Sequence, residues 1–401
     1  MVQHYSTSDF FRRAPNALLE RYFMDRGLLA DLNIAEMKET KVSALFEAWL
    51  ELPDDGRNLM ESELCEIHAL SNAKGFQAII DEASWHMQGE QDAHDAFVDK
   101  LSALPNHYHR AMTTFLEHPG YWKGAIRFSH ADGLSYWRKR KNLGHNEAAV
   151  HDTERRQLAR AIRTYFHLTE GRGNHCLVEA FRRDDLDYFF AYPEDHSQQS
   201  VEWVNGEFNN RPHNPAFEVV FVYSQSEGSL DLNYRGSRKA IEPLQAMFST
   251  EILKLEELPP DPKDERIYDL DQLGQPDFDF TYAPESGIQS VGVKKLQLAS
   301  RVTKGDRVTL EADANNNPTG VYDLMTTIGK SLDLRLYDIT QVEVSASIIE
   351  DADKPAKRIT FKITHPNTCS LKYDERGLKL RAMLEASGLE PKEPAKEDAA
   401  V

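Results

Sequence analysis

The chain has 401 residues, of which 40 % are hydrophobic and 28 % are charged, and its formal net charge is -18. This length predicts two or three domains rather than one core. The sequence lacks a run of about 18 apolar residues, which excludes a membrane-spanning helix, and the acidic balance disfavours long-range attraction to nucleic acid.

The N-terminal segment and the cysteines indicate the compartment. Charged residues and Pro15 interrupt the first residues, so we expect no secretory signal. Cys65, Cys176 and Cys369 are odd in number and widely separated, which favours a reducing compartment over a disulfide framework. We therefore expect a cytoplasmic protein of a bacterium, not associated with a membrane.

Residues 1–170 are predicted to form an all-helical domain. Apolar residues recur at helical spacing in "NALLERYFMDRGLLADL", "KVSALFEAWLEL" and "YHRAMTTFLEH", and turn signals such as Gly27 and Pro105 separate these segments. A helix over 152–167 closes the domain, and the glycines of "TEGRGNH" end it.

After Cys176 the apolar pattern changes to a period of two. Segments such as "LDYFFAYP", "AFEVVFVYS" and "SLDLNYRG" predict strands, and a helix follows them. We expect an antiparallel α+β domain over 174–256, an acidic proline-containing linker over 257–286, a second α+β domain over 287–389 and a disordered tail over 390–401. The predicted fold class is multidomain α plus α+β, with an N-terminal all-helical domain and two mainly antiparallel sheet-plus-helix modules.

One segment of this acidic chain is basic. Residues 121–185 carry thirteen Lys and Arg against eight Asp and Glu. At 100° per residue Arg156, Arg160 and Arg163 share one helical face, which predicts an outward cationic stripe. The candidate residues for binding an anionic partner or nucleic acid are Arg138, Lys139, Arg140, Lys141, Arg156, Arg160 and Arg163. The structural alternative is an ordinary polar helix face.

Several aromatic residues are candidates for contact with a protein partner. Tyr136 and Trp137 lie beside the basic run, and Trp203 and Phe208 flank "VNGE", whose Asn-Gly pair predicts a tight and projecting hairpin. Packing in the core is the alternative for each of them.

Histidines suggest a further candidate, a metal site. The dipeptide His151-Asp152 resembles the metal-binding pair of helical HD-type phosphohydrolases, and His118 is a candidate upstream ligand. The alternative interpretation is that Asp152 is the N-cap of the arginine-rich helix.

Three functional hypotheses follow. The sequence contains no GxSxG, HExxH or GxGxxG motif and implies no cofactor. The first hypothesis is therefore a non-enzymatic binding or assembly subunit of a protein complex, whose basic stripe contacts an anionic partner. The alternatives are a nucleic-acid-binding protein that uses residues 136–167 and a metal-dependent phosphohydrolase with ligands His118, His151 and Asp152.

Overall fold

The structure is a computed structural model that describes residues 5–39, 41–204, 206–260, 267–314, 317–349 and 355–390. These residues form two compact units. Unit 1 comprises the described parts of Met1–Asp132, Phe181–Asp184 and Ser197–Pro215, and unit 2 those of Gly133–Ala180, Asp185–His196 and Ala216–Val401. None of the helices in these ranges is both long and apolar enough to cross a membrane.

The N-terminal part of unit 1 is helical, as the sequence predicts. Its α-helices are α1 Thr7–Arg13, α2 Asn16–Met24, α3 Ser43–Leu50, α4 Asp54–Leu70, α5 Ala73–His86, α6 Gln91–Ser102, α7 His107–Glu117 and α8 Pro119–Ala131. Asn72 and Asn106 cap α5 and α7, because each side chain accepts two backbone N–H groups of the first turn. Phe11, Phe23 and Trp49 pack edge to face in the core, with the ring of Trp49 5.8 Å from Phe11 and 6.1 Å from Phe23.

A large, mainly antiparallel sheet dominates unit 2. The strands of the described residues, of which β4 and β5 belong to unit 1, are β1 Trp137–Arg140, β2 Cys176–Arg183, β3 Leu186–Pro193, β4 Gln198–Val204, β5 Glu207–His213, β6 Val219–Ser224, β7 Ser229–Tyr234, β8 Ile288–Ser300, β9 Arg307–Glu311, β10 Tyr337–Ile348, β11 Lys357–Thr364 and β12 Thr368–Cys369. Ten of them form one sheet in the order β2-β3-β6-β7-β1-β12-β11-β10-β8-β9, while β4 and β5 form a separate pair. The predicted fold class, helices followed by antiparallel sheet with helices, is thereby confirmed.

Strand β1 lies in the middle of this sheet. Arg138 is opposite Leu232 of β7, and Trp137 is opposite Cys369 of β12. The strands of the two predicted α+β modules therefore belong to one continuous sheet, and the strand that joins them comes from the segment assigned by sequence to the helical domain.

The helices of unit 2 cover the sheet. They are α9 Asp152–Glu170, α10 Ile241–Glu251, α11 Gly320–Ile328 and α12 Glu375–Ala386. The apolar stripe of α9 (Leu158, Ile162 and Phe166) is buried in one hydrophobic cluster with residues of β3, β6, β7 and α10. Leu380 and Leu384 of α12 are buried in a second cluster with residues of β8, β10 and β11. The grouping of α9 with unit 2 corrects the predicted boundary at residue 170.

Two other predicted boundaries also differ from the structure. In the segment predicted as a linker, Tyr268, Leu270 and Leu273 are buried in the second cluster, because hydrophobic residues between the prolines pack on the sheet. Residues 261–266 of that segment lie outside the described residues. Glu390, the first residue of the predicted disordered tail, is only 4 % exposed and is therefore part of the folded unit. Residues 391–401 lie outside the described residues.

We predict that Trp137→Ala destabilises unit 2 by about 3–5 kcal/mol, because the indole is fully buried and contacts the ring of Tyr373 at 5.0 Å. Urea unfolding followed by circular dichroism measures the change in free energy. Tyr136→Ala is the control, since Tyr136 is 56 % exposed, and it changes the free energy of unfolding by about 0.5 kcal/mol at most. A loss below about 1 kcal/mol for Trp137→Ala would contradict this account of the sheet.

Candidate functional site

The basic run 138–141 alternates between the two faces of the sheet. Successive side chains of a strand point to opposite faces. Nη1 of Arg138 donates a hydrogen bond to the carbonyl oxygen of Tyr234 at 3.0 Å. Nη1 of Arg140 donates a hydrogen bond to Oε1 of Gln245 in α10 at 3.2 Å. Lys139 points to the other face, as does Trp137.

Lys139 is a buried cation held by carboxylates. It is 5 % exposed, and its Nζ lies 2.8 Å from Glu227, 2.7 Å from Glu390 and 3.9 Å from Asp231. Burial favours the neutral amine, but the charges of Glu390, Asp231 and Glu227 outweigh that effect and raise the pKa of Lys139. Lys139 therefore remains charged in the interior.

The carboxylates of this cluster differ in their protonation equilibria. Burial raises the pKa of Glu390 and Glu227, but the charges of Lys139 and Lys141 outweigh it, so both values lie below the ordinary range. Asp231 is 2 % exposed, and its burial raises its pKa in spite of the charges of Lys139 and Arg381. Glu227 and Glu390 are also the closest partners of Lys139, at 2.8 and 2.7 Å.

The central candidate residues of the run 138–141 are therefore not exposed to an external partner. Lys139 and Arg140 are each 5 % exposed, and Lys141 lies 3.5 Å from Glu390. The carboxylates and carbonyls that bind these side chains belong to sequence-distant segments of the same unit, which a local pattern does not reveal. Their role in binding an external anion is not supported by this placement.

The arginine face of α9, which comprises Arg156, Arg160 and Arg163, points outward as the helical spacing predicts. All three side chains are exposed, and that of Arg156 keeps 83 % of its surface. Arg156 lies 3.9 Å from Asp152 in the first turn of the same helix. Arg160 and Arg163 form no ion pair with any residue that the structure describes. Arg160 and Arg163 can therefore contact an external anion without breaking an internal salt bridge among the described residues.

The candidate metal ligands do not come together. Within the described ranges there is no group of three or more His, Cys, Asp and Glu residues that could hold a metal ion, so His118, His151 and Asp152 do not form one. His118 instead stacks on Tyr121 at 5.6 Å. Asp152 is the first residue of α9 and pairs with Arg155, while His151 occupies the N-cap position. The N-cap of α9 is thus His151 and not the predicted Asp152.

The candidate partner-binding aromatics divide into exposed and buried residues. Trp203 and Phe208 are 72 % and 63 % exposed, and they face each other across the β4–β5 hairpin with ring centroids 5.6 Å apart. Tyr136 is exposed as well, whereas Trp137 is fully buried and cannot contact a partner. The predicted hairpin is present, although Asn205 of its turn lies outside the described residues.

Sequence reasoning missed a polar cavity beside Lys139. Its wall includes Asp231 of β7, Tyr373 before α12 and Arg381 within α12. One signal was available, because Asp231 interrupts the apolar strand "SLDLNY" and Arg381 stands between Leu380 and Met383 on a buried helix. A charged residue at a core position of a strand or helix indicates a partner elsewhere in the fold.

Comparison of the chain with protein-family models, with curated proteins and with solved structures finds no match.

We predict that Lys139→Met destabilises unit 2 by about 3–5 kcal/mol near pH 7, because Glu227 and Glu390 lose the cation that balances their charge. The pKa of both carboxyls is lowered in the folded wild type. Their ionised forms therefore stabilise the fold at pH values above the unfolded pKa, and this stabilisation is lost as the pH falls through the folded pKa. In the variant, burial without Lys139 raises the pKa of Glu390, which is 4 % exposed. The variant's stability therefore increases as the pH falls from about 7 to about 5, as measured by urea unfolding at each pH.

The control for this experiment is Lys304→Met. Lys304 is exposed in the turn before β9, so its replacement changes the free energy of unfolding by about 0.5 kcal/mol at most. The assignment fails if Lys139→Met shows the same dependence on pH as the wild type.

Proposed function

We propose that this protein is a non-enzymatic binding subunit of a protein complex, and that the arginine face of α9 contacts an acidic segment of a partner protein. The observation that carries this proposal is the exposure of Arg160 and Arg163, which form no ion pair among the described residues. Three guanidinium groups at this helical spacing match carboxylates along an extended or helical acidic segment.

The packing of α9 supports the proposal. Its opposite face is anchored by Leu158, Ile162 and Phe166, which are fully buried. The arginine face is therefore held on a rigid element, and binding orders only side chains, which limits the entropic cost. A partner that docks here does not need to unfold or displace any part of unit 2.

An acidic protein segment suits this surface better than nucleic acid does. The nucleic-acid hypothesis depended on aromatics interleaved with the basic run, but Trp137 and Lys139 are buried. The three remaining arginines neutralise few phosphates in a chain whose net charge is -18. Nucleic acid is therefore an alternative outcome of the test.

The proposed location is the bacterial cytoplasm. Cys65, Cys176 and Cys369 are all free of disulfide bonds in the structure, which suits a reducing compartment.

We predict that the triple variant R156E/R160E/R163E loses affinity for a fluorescent polyglutamate peptide by at least about tenfold. Each substitution removes an attraction and adds a repulsion, and exposed charge pairs contribute about 0.2–1 kcal/mol each. Fluorescence anisotropy at low ionic strength measures binding, which weakens as salt screens the charges. A labelled single-stranded oligonucleotide is titrated in parallel.

The matched control is R235E/R307E/R358E, which changes the net charge by the same amount at exposed arginines outside α9. It should retain the affinity of the wild type within about twofold. The proposal is rejected if the wild type does not bind the peptide, if the control variant loses as much affinity, or if only the oligonucleotide binds through α9.

A further inference from the structure

Unit 2 contains a cavity of about 180 Å³ between the sheet and α12. It lies on the face of β1 that carries Lys139, opposite the face on which Arg140 contacts α10. The side chains that matter for its chemistry are Lys139, Ser224, Asp231, Tyr373, Arg381 and Glu390. None of them belongs to the arginine face of α9, so the cavity is distinct from the proposed partner-binding surface.

Arg381 offers hydrogen-bond donors that the protein does not use. The side chain is 8 % exposed and lines the cavity. One nitrogen, Nη2, donates to the carbonyl of Leu371 at 3.1 Å, and the guanidinium lies 4.3 Å from the ring centroid of Tyr373. Nε and Nη1 have no hydrogen-bond partner in the described protein. Buried guanidinium donors normally bind an acceptor, because leaving them unpaired is costly.

Asp231 offers an unused acceptor in the same cavity. It is 2 % exposed, and its Oδ2 accepts a hydrogen bond from the hydroxyl of Tyr373. Its other oxygen, Oδ1, is buried and has no hydrogen-bond partner among the described residues. The cavity wall therefore presents unsatisfied donors and an unsatisfied acceptor, a combination that one ligand with both kinds of group would satisfy.

The wall of the cavity carries more acidic than basic groups. The ionisable acidic and basic residues that line the cavity are Asp185, Glu227, Asp231, Glu385, Glu390, Lys139 and Arg381. Five carboxyl groups thus face two cations, and Lys139 is already paired with Glu227 and Glu390. A ligand that carries only negative charge would satisfy Arg381 but would add to this acidic excess. A ligand that carries only positive charge would leave the guanidinium unpaired.

We propose that this cavity binds a small zwitterion of the amino-acid type, whose carboxylate accepts hydrogen bonds from Arg381 and whose ammonium group donates to Asp231. The ligand's two opposite charges match the two unsatisfied groups of the wall. Charge-assisted hydrogen bonds of this kind are the stronger ones in proteins.

The size of the cavity agrees with this ligand class. Its volume exceeds what a single water molecule needs. Pockets for drug-sized ligands occupy about 300–1,000 Å³, so the cavity matches a smaller ligand. The apolar lining, which includes Leu186, Val222 and Leu378, suits the hydrocarbon part of a small amino acid.

Isothermal titration calorimetry of the full chain with each common amino acid, and separately with inorganic phosphate, tests this proposal. We expect at least one amino acid to bind, and we expect Asp231→Asn and Arg381→Gln each to weaken that binding by at least about tenfold, since each removes one charge-assisted contact. Arg358→Gln, at an exposed position of β11, is the control and should bind as the wild type does.

Circular dichroism verifies that the variants are folded. If Arg381→Gln does not fold, Asp231→Asn decides, because it preserves the shape of the side chain and an acceptor for Tyr373. The proposal is overturned if no amino acid binds the wild type, if Asp231→Asn binds with unchanged affinity, or if phosphate alone binds, which would assign the cavity to simple anions.

Discussion

A charged amine inside a sheet is stable only where carboxylates surround it, and the centre of unit 2 depends on such an arrangement. Lys139 lies on the strand that joins the β7 side of the sheet to the β12 side. It is bound by Glu227, in the turn between β6 and β7, and by Glu390, after α12. Without this compensation, the desolvation of the ammonium group would oppose the insertion of β1. The continuity of the sheet and the polar cavity beside it therefore have a common electrostatic origin.

Features that depend on local sequence were predictable. The amphipathic pattern of α9 alone places Arg160 outward and Ile162 inward, because both positions follow from the helical period. The period of two in "LDYFFAYP" likewise predicted β3, and Tyr188 and Phe189, on the two faces of this strand, are both buried.

Features that depend on distant residues were not predictable. Four consecutive basic residues in "WRKR" and Lys141 favour a solvated surface, and nothing near them in the sequence indicates a central strand. The partner Glu227 is 88 residues away from Lys139, and Glu390 is at the start of a segment whose composition predicts disorder. The cavity was missed for the same reason, since β7 and α12 contribute its unsatisfied groups and only tertiary structure brings them together.

The pairing of β1 also has a consequence for how the polypeptide matures during translation. Trp137 is opposite Cys369 of β12, and Lys139 is bound by Glu390. A nascent chain that has emerged only as far as β7 therefore contains one strand that pairs with β1, which is β7, and lacks the other, which is β12. Contacts of such long sequence separation form slowly, and the exposed strand edge is open to wrong pairing until the last helix is synthesised. C-terminally shortened chains that lack β12 should consequently be prone to aggregation.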